Sequence, residues 1–316
     1  MLANRLLSAL ILLALSQVMV GINIVGSKYL VSTMPIFFIL AIRFTLATGI
    51  LLLLHGLADD HRNYLRYYLK KLTKRDWMYI LLQALTAGVF FNLLMILGLR
   101  YTSANIAGII TSSLPALIAF ISWLVLKESF TMKKSLCIGL ATIGLLVISL
   151  ENLLQGNTGN SAWGNLLIFL AMLPEACYYV LTKMYTNVLP VFLMSALMNG
   201  INAIILLPIM FFTVHLQLST IPMGDWLILI IISISSGLFY VFWYMGANRV
   251  DAVMASLSTA VMPIATVTIA WLALREVITL TQMIGMVLVI SSIVVYAWPK
   301  KMSKISSSPQ SNAREK

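Results

Sequence analysis

The chemically capable residue least expected where it stands is Glu175, inside the apolar run that extends from Trp163 to Lys183. An ionised side chain near the centre of a membrane-length helix costs about 2.5–3.5 kcal/mol on insertion scales. A chain that keeps an acid there is expected to use it, as a proton carrier, as the counter-charge of a cationic ligand, or as half of a buried ion pair. Pro174 stands just before it, lacks an N–H and frees the carbonyl of Leu170, which predicts a kink or local opening at the acid. At helical spacing Ala171, Glu175, Tyr178, Tyr179 and Thr182 share one face, a polar and aromatic stripe that should meet protein or water and not lipid. The cation at comparable depth is Arg43. At about 1.5 Å of rise per residue the two differ by roughly 6 Å in depth, within reach of two long side chains. A coupling pair and a purely structural ion pair both remain open at this point.

Other polar positions fall on matching faces. Ser16, Asn23 and Ser27 form one stripe, Gln83 and Asn92 belong to a later run, and Thr111 and Ser112 precede Pro115. Ser233, Ser236, Tyr240, Trp243 and Tyr244 make another face, followed by Ser256, Thr259, Pro263 and Thr266. Hydroxyls and amides beside aromatic rings suit a small organic ligand with an apolar body and a few polar groups. The substrate-binding set expected from these stripes is Asn23, Asn92, Glu175, Tyr178, Tyr179, Tyr240, Trp243, Tyr244, Ser256 and Thr259. Some hydroxyls must simply bond back to their own helix. His55, His61 and His215 are scattered, and Cys137 and Cys177 have neither CxxC spacing nor histidine neighbours. No metal or nucleophile constellation is present, so no enzyme, metal site or cofactor is expected.

The elements that must position these residues are membrane spans. The 316 residues are 60% hydrophobic and 10% charged, against about 25% charged in soluble domains. Apolar runs predict ten spans at 6–27, 36–54, 77–99, 106–126, 135–150, 163–183, 191–213, 226–247, 254–273 and 280–298. With the N-terminus in the cytoplasm, 17 cations fall on the inner side and 3 (Lys28, Arg100, Arg275) on the other, with Arg43 inside a span. That contrast places both termini in the cytoplasm, and the net charge of +11 is then a topology signal and no footprint for nucleic acid. Arg5 precedes the first run as in a signal peptide, but no small-x-small cleavage site stands out, so that run is expected to stay as a helix. The basic segment 55–76 is expected to be an interfacial helix, and the polar stretch 299–316 a disordered cytoplasmic tail.

The chain also repeats. Gly98, Pro115, Lys127-Glu128 and Gly144 match Gly246, Pro263, Arg275-Glu276 and Ser292 at an offset of 148, and Lys28 and Pro35 match Lys183 and Pro190 at 155. Five spans per copy would invert the second copy in the membrane, the plan of secondary transporters with a midplane site between repeats. The copies are 1–150 and 151–298. A basic-Glu pair thirteen residues after a span proline, followed nine residues later by a small residue opening the next span, resembles the drug/metabolite transporter superfamily, EamA type, with Cys137 in place of the usual glycine opening span 5 and Ser292 in place of the later glycine in span 10. Arg43 matches an arginine that family often carries, and Glu175 departs from an apolar residue common in its sixth span.

The resemblance implies an all-α integral membrane protein of ten helices in two inverted five-helix repeats, with spans 5 and 10 at the periphery. It also implies a carrier in the inner membrane of a bacterium. The residues add a substrate class: one acid, one arginine and five aromatics fit an amine-bearing metabolite, an amino acid or derivative, with Glu175 able to carry a proton. Export by alternating access is what the resemblance implies, since that family more often exports such compounds, though it also includes importers. A multidrug or organic-cation carrier, an importer of a nucleoside-like metabolite, and a membrane scaffold or receptor are the alternatives. Phosphate substrates call for more cavity cations than Arg43 alone. The expected partners are the small-molecule substrate and the bilayer. The oligomeric state is left open, and a monomer satisfies the pattern. Lys127-Glu128 and Arg275-Glu276, at span ends, are expected to act as topology and packing anchors.

Overall fold

The computed structural model describes residues 2–58, 64–127, 161–185, 189–214, 221–250 and 261–297, with isolated positions between them. Over these residues the chain is helical: α1 Leu2–Leu30, α2 Ile36–Ala58, α3 Tyr64–Lys71, α4 Lys74–Ala84, α5 Phe91–Leu99, α6 Ala104–Thr111, α7 Leu114–Leu126, α8 Ala162–Met184, α9 Val191–Thr213, α10 Met223–Ala247, α11 Val261–Leu274 and α12 Leu280–Ala297. Among the described residues seven continuous stretches are long and apolar enough to cross a membrane, which makes the protein a multi-pass membrane protein. The expected span 135–150, the tail 299–316 and the linker 151–160 lie wholly or almost wholly outside the described residues.

The helices are apolar on both sides, as membrane helices must be. Outward-facing rows such as Leu53, Ile204, Phe211 and Leu272 are exposed, the surface that lipid chains cover. Inside, α1 packs against α10 and α11, α2 against α9 and α10, α8 against α5 and α7, and α6 against α11. Each of these pairings joins a helix from before residue 127 to one from after residue 161. They also come in matched sets. A Cβ at Gly98 would stand 2.9 Å from the carbonyl of Gly164, and one at Gly246 would stand 3.1 Å from that of Ala9. Gly98 also meets Ile168, as Gly246 meets Leu13. Only glycine lets these helix pairs approach so closely. The described non-glycine residues with positive φ are Lys127 and Arg275, both at 53°. The spacings are the same 148 and 155 seen in the sequence.

Breaks in the helices lie where the polar residues gather. Between α4 and α5 the backbone widens to a π-helical turn, Leu85–Phe90, a feature often found at functional sites. The fourth span parts at Ser112 and Ser113 between α6 and α7, with Pro115 in the first turn of α7. Thr259 forms a turn just before α11, which carries Pro263. By contrast α8 runs unbroken through Pro174, so the local opening expected there is not formed. Buried Ala171, Met172 and Ala176 pack both flanking turns against neighbours, which holds the helix despite the missing N–H. The segment 55–76 does contain a short basic helix, α3, with Tyr67 exposed and its ring 6.0 Å from the Lys71 ammonium.

Candidate substrate site

Two buried polar groups lie between the helices. The first is built around Arg43 of α2, which is 1% exposed. Its Nη1 donates to Asn23 Oδ1 at 3.2 Å, and its Nη2 donates to Asn92 Oδ1. Both amides are fixed in that orientation by their own N–H groups. Asn23 Nδ2 donates to Met19 O and to Ser235 Oγ (3.0 and 2.7 Å), while Asn92 Nδ2 donates to Ala87 O and Gly88 O (3.0 and 2.7 Å). The last two carbonyls belong to the π-helical turn, whose altered bonding leaves acceptors that Asn92 takes up. The guanidinium also lies 4.8 Å from the Phe44 ring. Arg43 is thus held by neutral oxygens. Its Nε has no partner among the described residues.

The second group surrounds Glu175 of α8, also 1% exposed. The Tyr179 hydroxyl sits beside its carboxylate and accepts from Gln17 Nε2 at 3.2 Å. Tyr178 meets Tyr179 and Tyr240 edge-on, with centroids 5.3 and 6.0 Å apart, and the Trp243 ring stands edge-on to Tyr179 at 4.5 Å. Tyr244 donates to Gln83 Oε1 at 3.0 Å and lies beside Tyr178. Helices α1, α4, α8 and α10 therefore meet at one aromatic cage around one acid. Tyr240 lies within electrostatic reach of both Glu175 and Arg43 and links the two groups.

The hydrogen bonding of the cage is incomplete. Of eleven buried side-chain nitrogen and oxygen atoms without a partner among the described residues, five belong to it: Gln17 Oε1, Gln83 Nε2, Glu175 Oε2, Tyr178 OH and Trp243 Nε1. A buried polar group left unpaired costs about 1–3 kcal/mol, so such atoms are few in native proteins and call for a reason. Three acceptors or hydroxyls and two N–H donors are left over in this cluster, groups suited to a ligand that carries both donors and acceptors.

The structure brings together most of the residues singled out from the sequence. Asn23 and Asn92 join Arg43, whereas Tyr179 and Tyr240 lie beside Glu175 and Tyr178, Trp243 and Tyr244 pack against those rings or one another. Thr259 is fully buried at the turn before α11, and Ser256 lies outside the described residues. The ion pair between Arg43 and Glu175 is not made, because the guanidinium is taken by the two asparagines and Glu175 Oε2 stays unpaired. Asn23 and Tyr178, equivalent at the 155 offset, stand in the Arg43 group and in the aromatic group respectively. Ser233 and Thr266 bond back to Leu229 O and Met262 O and have the structural role expected of many hydroxyls. Gln17, Asn199 and Asn202 were missed. Asn199 accepts from Ser236 Oγ at 3.3 Å, and Asn202 is fully buried with a free Oδ1. Their signal was available, since an amide in a membrane run is as much an anomaly as a serine.

Comparison with known proteins agrees with this architecture. Over 303 residues the chain is 27% identical to the uncharacterized transporter YetK of Bacillus subtilis, covering 95% of this chain and 90% of that protein. It is 29% identical over 273 residues to the uncharacterized transporter YyaM of the same organism, covering 85% and 87%. A crystal structure of a protein superposes with a TM-score of 0.65 at 16% identity, over 91% of this chain and 96% of that one, which shows a shared fold. The EamA-like transporter family pattern matches twice, at residues 7–150 and 162–298. Matched almost end to end, the chain belongs to the EamA-like transporter family, and with it to the drug/metabolite transporter superfamily.

Proposed function

We propose that this transporter carries a small amine-bearing metabolite, an amino acid or a close derivative, out of the cell by alternating access, with Glu175 coupling the movement to protons. The observation that carries this reading is a pair of opposite charges in one buried site that do not neutralise each other. Arg43 has only neutral oxygens around it and Glu175 keeps an unpaired oxygen. Leaving either charge uncompensated in a low-dielectric interior is costly. A zwitterion supplies a carboxylate for Arg43 and an ammonium for Glu175, with its side chain among Tyr178, Tyr179, Tyr240 and Trp243. A proton on Glu175 neutralises the acid when no ammonium is present, which links proton and substrate at one atom.

In this proposal ten spans form two inverted five-helix repeats, 1–150 and 151–298, that rock about the site, with both termini in the cytoplasm of a bacterial inner membrane. The double family match, the paired glycine contacts and the paired positive-φ residues support that plan. The breaks at Ser112–Ser113 and before α11, beside Pro115 and Pro263, supply the places to bend. Purified protein in proteoliposomes with an imposed pH gradient tests the reading. Labelled amino acids are expected to move in response to the gradient, and Glu175→Gln is expected to abolish that response. Movement of amino acids that ignores the gradient, unchanged in Glu175→Gln, would remove the coupling role.

A further inference from the structure

At the Lys28 end of the bundle, both halves of the chain are tied together by charge-assisted hydrogen bonds that the site does not use. Glu276, in the linker after α11, reaches the first turn of α6. Its Oε1 accepts from Ala104 N at 3.0 Å and its Oε2 from Asn105 N at 2.8 Å. The left-handed turn at Arg275 aims it there. Lys28, at the end of α1, donates to Leu99 O and Thr102 O, both at 2.8 Å, and lies within electrostatic reach of Glu276. Thr102 Oγ1 then donates to Asn165 Oδ1 of α8 at 2.8 Å. Five segments from both halves, α1, the α5–α6 connection, the start of α6, α8 and the linker after α11, are therefore closed over the same end. A carboxylate on a helix N-terminus and an ammonium on helix C-terminal carbonyls each complement the helix dipole.

We infer that Glu276 and Lys28 are the gating residues of the outer face. When the two halves part at this end, Glu276 must leave the N–H groups of Ala104 and Asn105, and Lys28 must leave the carbonyls that close α5. A mere packing anchor would stay bound through the cycle. The inference rests on the alternating-access reading above and adds to it which bonds break. The ties described at the opposite end are of another kind: Tyr185 donates to Asp76, stacks on Tyr79 at 4.9 Å, and Arg249 donates to Ser8 at 3.4 Å. Glu128 occupies the place of Glu276 at the 148 offset and serves as the comparator.

The test uses accessibility and needs no substrate. Ser27, one residue before Lys28, is fully buried with an unpartnered hydroxyl. Ser27→Cys, in a chain with Cys137→Ala and Cys177→Ala, reports opening of this end to a membrane-impermeant maleimide in sealed vesicles of known orientation. Glu276→Gln, which weakens a charge-assisted contact, is expected to speed labelling about tenfold or more, and Lys28→Gln to do the same. Glu128→Gln is expected to slow labelling or leave it unchanged. Equal labelling rates in the parent and in both Glu276→Gln and Lys28→Gln, each checked as monodisperse, would overturn the gate. Faster labelling in all three variants would overturn it too, as general loosening. Acceleration seen only from the cytoplasmic side would overturn the assignment of this gate to the outer face. Loss of the amino-acid reading would not change the labelling.

Discussion

Arg43 and Glu175 are equally buried, yet their surroundings are opposites. Around Arg43 each amide has its N–H groups anchored on a carbonyl or hydroxyl, so that its oxygen must face the guanidinium. In the aromatic cluster beside Glu175 five polar atoms have no hydrogen-bond partner within normal geometry among the described residues. Apart from Arg43 Nε, which has no partner among the described residues, and the missing counter-charge, the first region is finished in its hydrogen bonding, and the second is not. Fully satisfied buried networks rigidify a fold, and unsatisfied ones hold free energy that a ligand can recover. Under the proposed function the difference separates two tasks: Arg43 is a charge set in place by two anchored amides, one of them bonded to the π-helical turn, and the cage is the part proposed to change partners.

This contrast can be broken by mutation. Glu175→Gln should have the largest effect, removing pH-driven transport by about 100-fold or more, because no other acid among the described residues is shown beside the cage to take the proton; flux against pH in proteoliposomes is the check. Arg43→Ala should lower binding of a zwitterion by about 10- to 100-fold, the range of a lost charged contact, whereas an amine lacking a carboxylate should bind as before. Asn92→Leu removes the anchor that turns its amide toward Arg43. It should destabilise the protein by about 1–3 kcal/mol, measured as a lower midpoint of thermal unfolding in detergent. Trp243→Phe, in the unfinished region, should do the reverse. It discards an unpaired N–H and should leave stability equal or higher while weakening substrate binding by about 1 kcal/mol. If Trp243→Phe lowers stability as much as Asn92→Leu, the division between a finished and an unfinished region fails.

Much of this was legible in the chain. Glu175, Arg43 and the tyrosines stand out because charge and hydroxyls are costly in apolar runs, and the membrane class follows from composition. The 148 offset carries into three dimensions through Gly98 and Gly246 and through Lys127 and Arg275, since a tight helix contact or a left-handed turn constrains sequence. What was not legible depends on which neighbour a side chain selects. Arg43 and Glu175 are close enough in depth to pair, but depth along a helix says nothing of rotation about it. Asn92 wins the guanidinium because the π-helical turn, which no residue pattern announced, redirects it. Pro174 was read as a kink or a local opening, and α8 continues as helix through it with buried residues on both sides. Glu276 was expected to be an anchor at a helix end, and only its reach to Ala104 and Asn105 reveals that it bridges the two halves.

The central claim, that the unfinished cage around Glu175 is where substrate binds, is tested most directly by ligand-induced thermal shift on the purified protein. Amino acids, amines, nucleosides and phosphate esters are compared on the parent chain, Glu175→Gln and Arg43→Ala. The account predicts stabilisation by amine-bearing amino acids that disappears in Glu175→Gln and weakens in Arg43→Ala. Stabilisation by a phosphate ester alone, kept by Glu175→Gln and lost in Arg43→Ala, would contradict it.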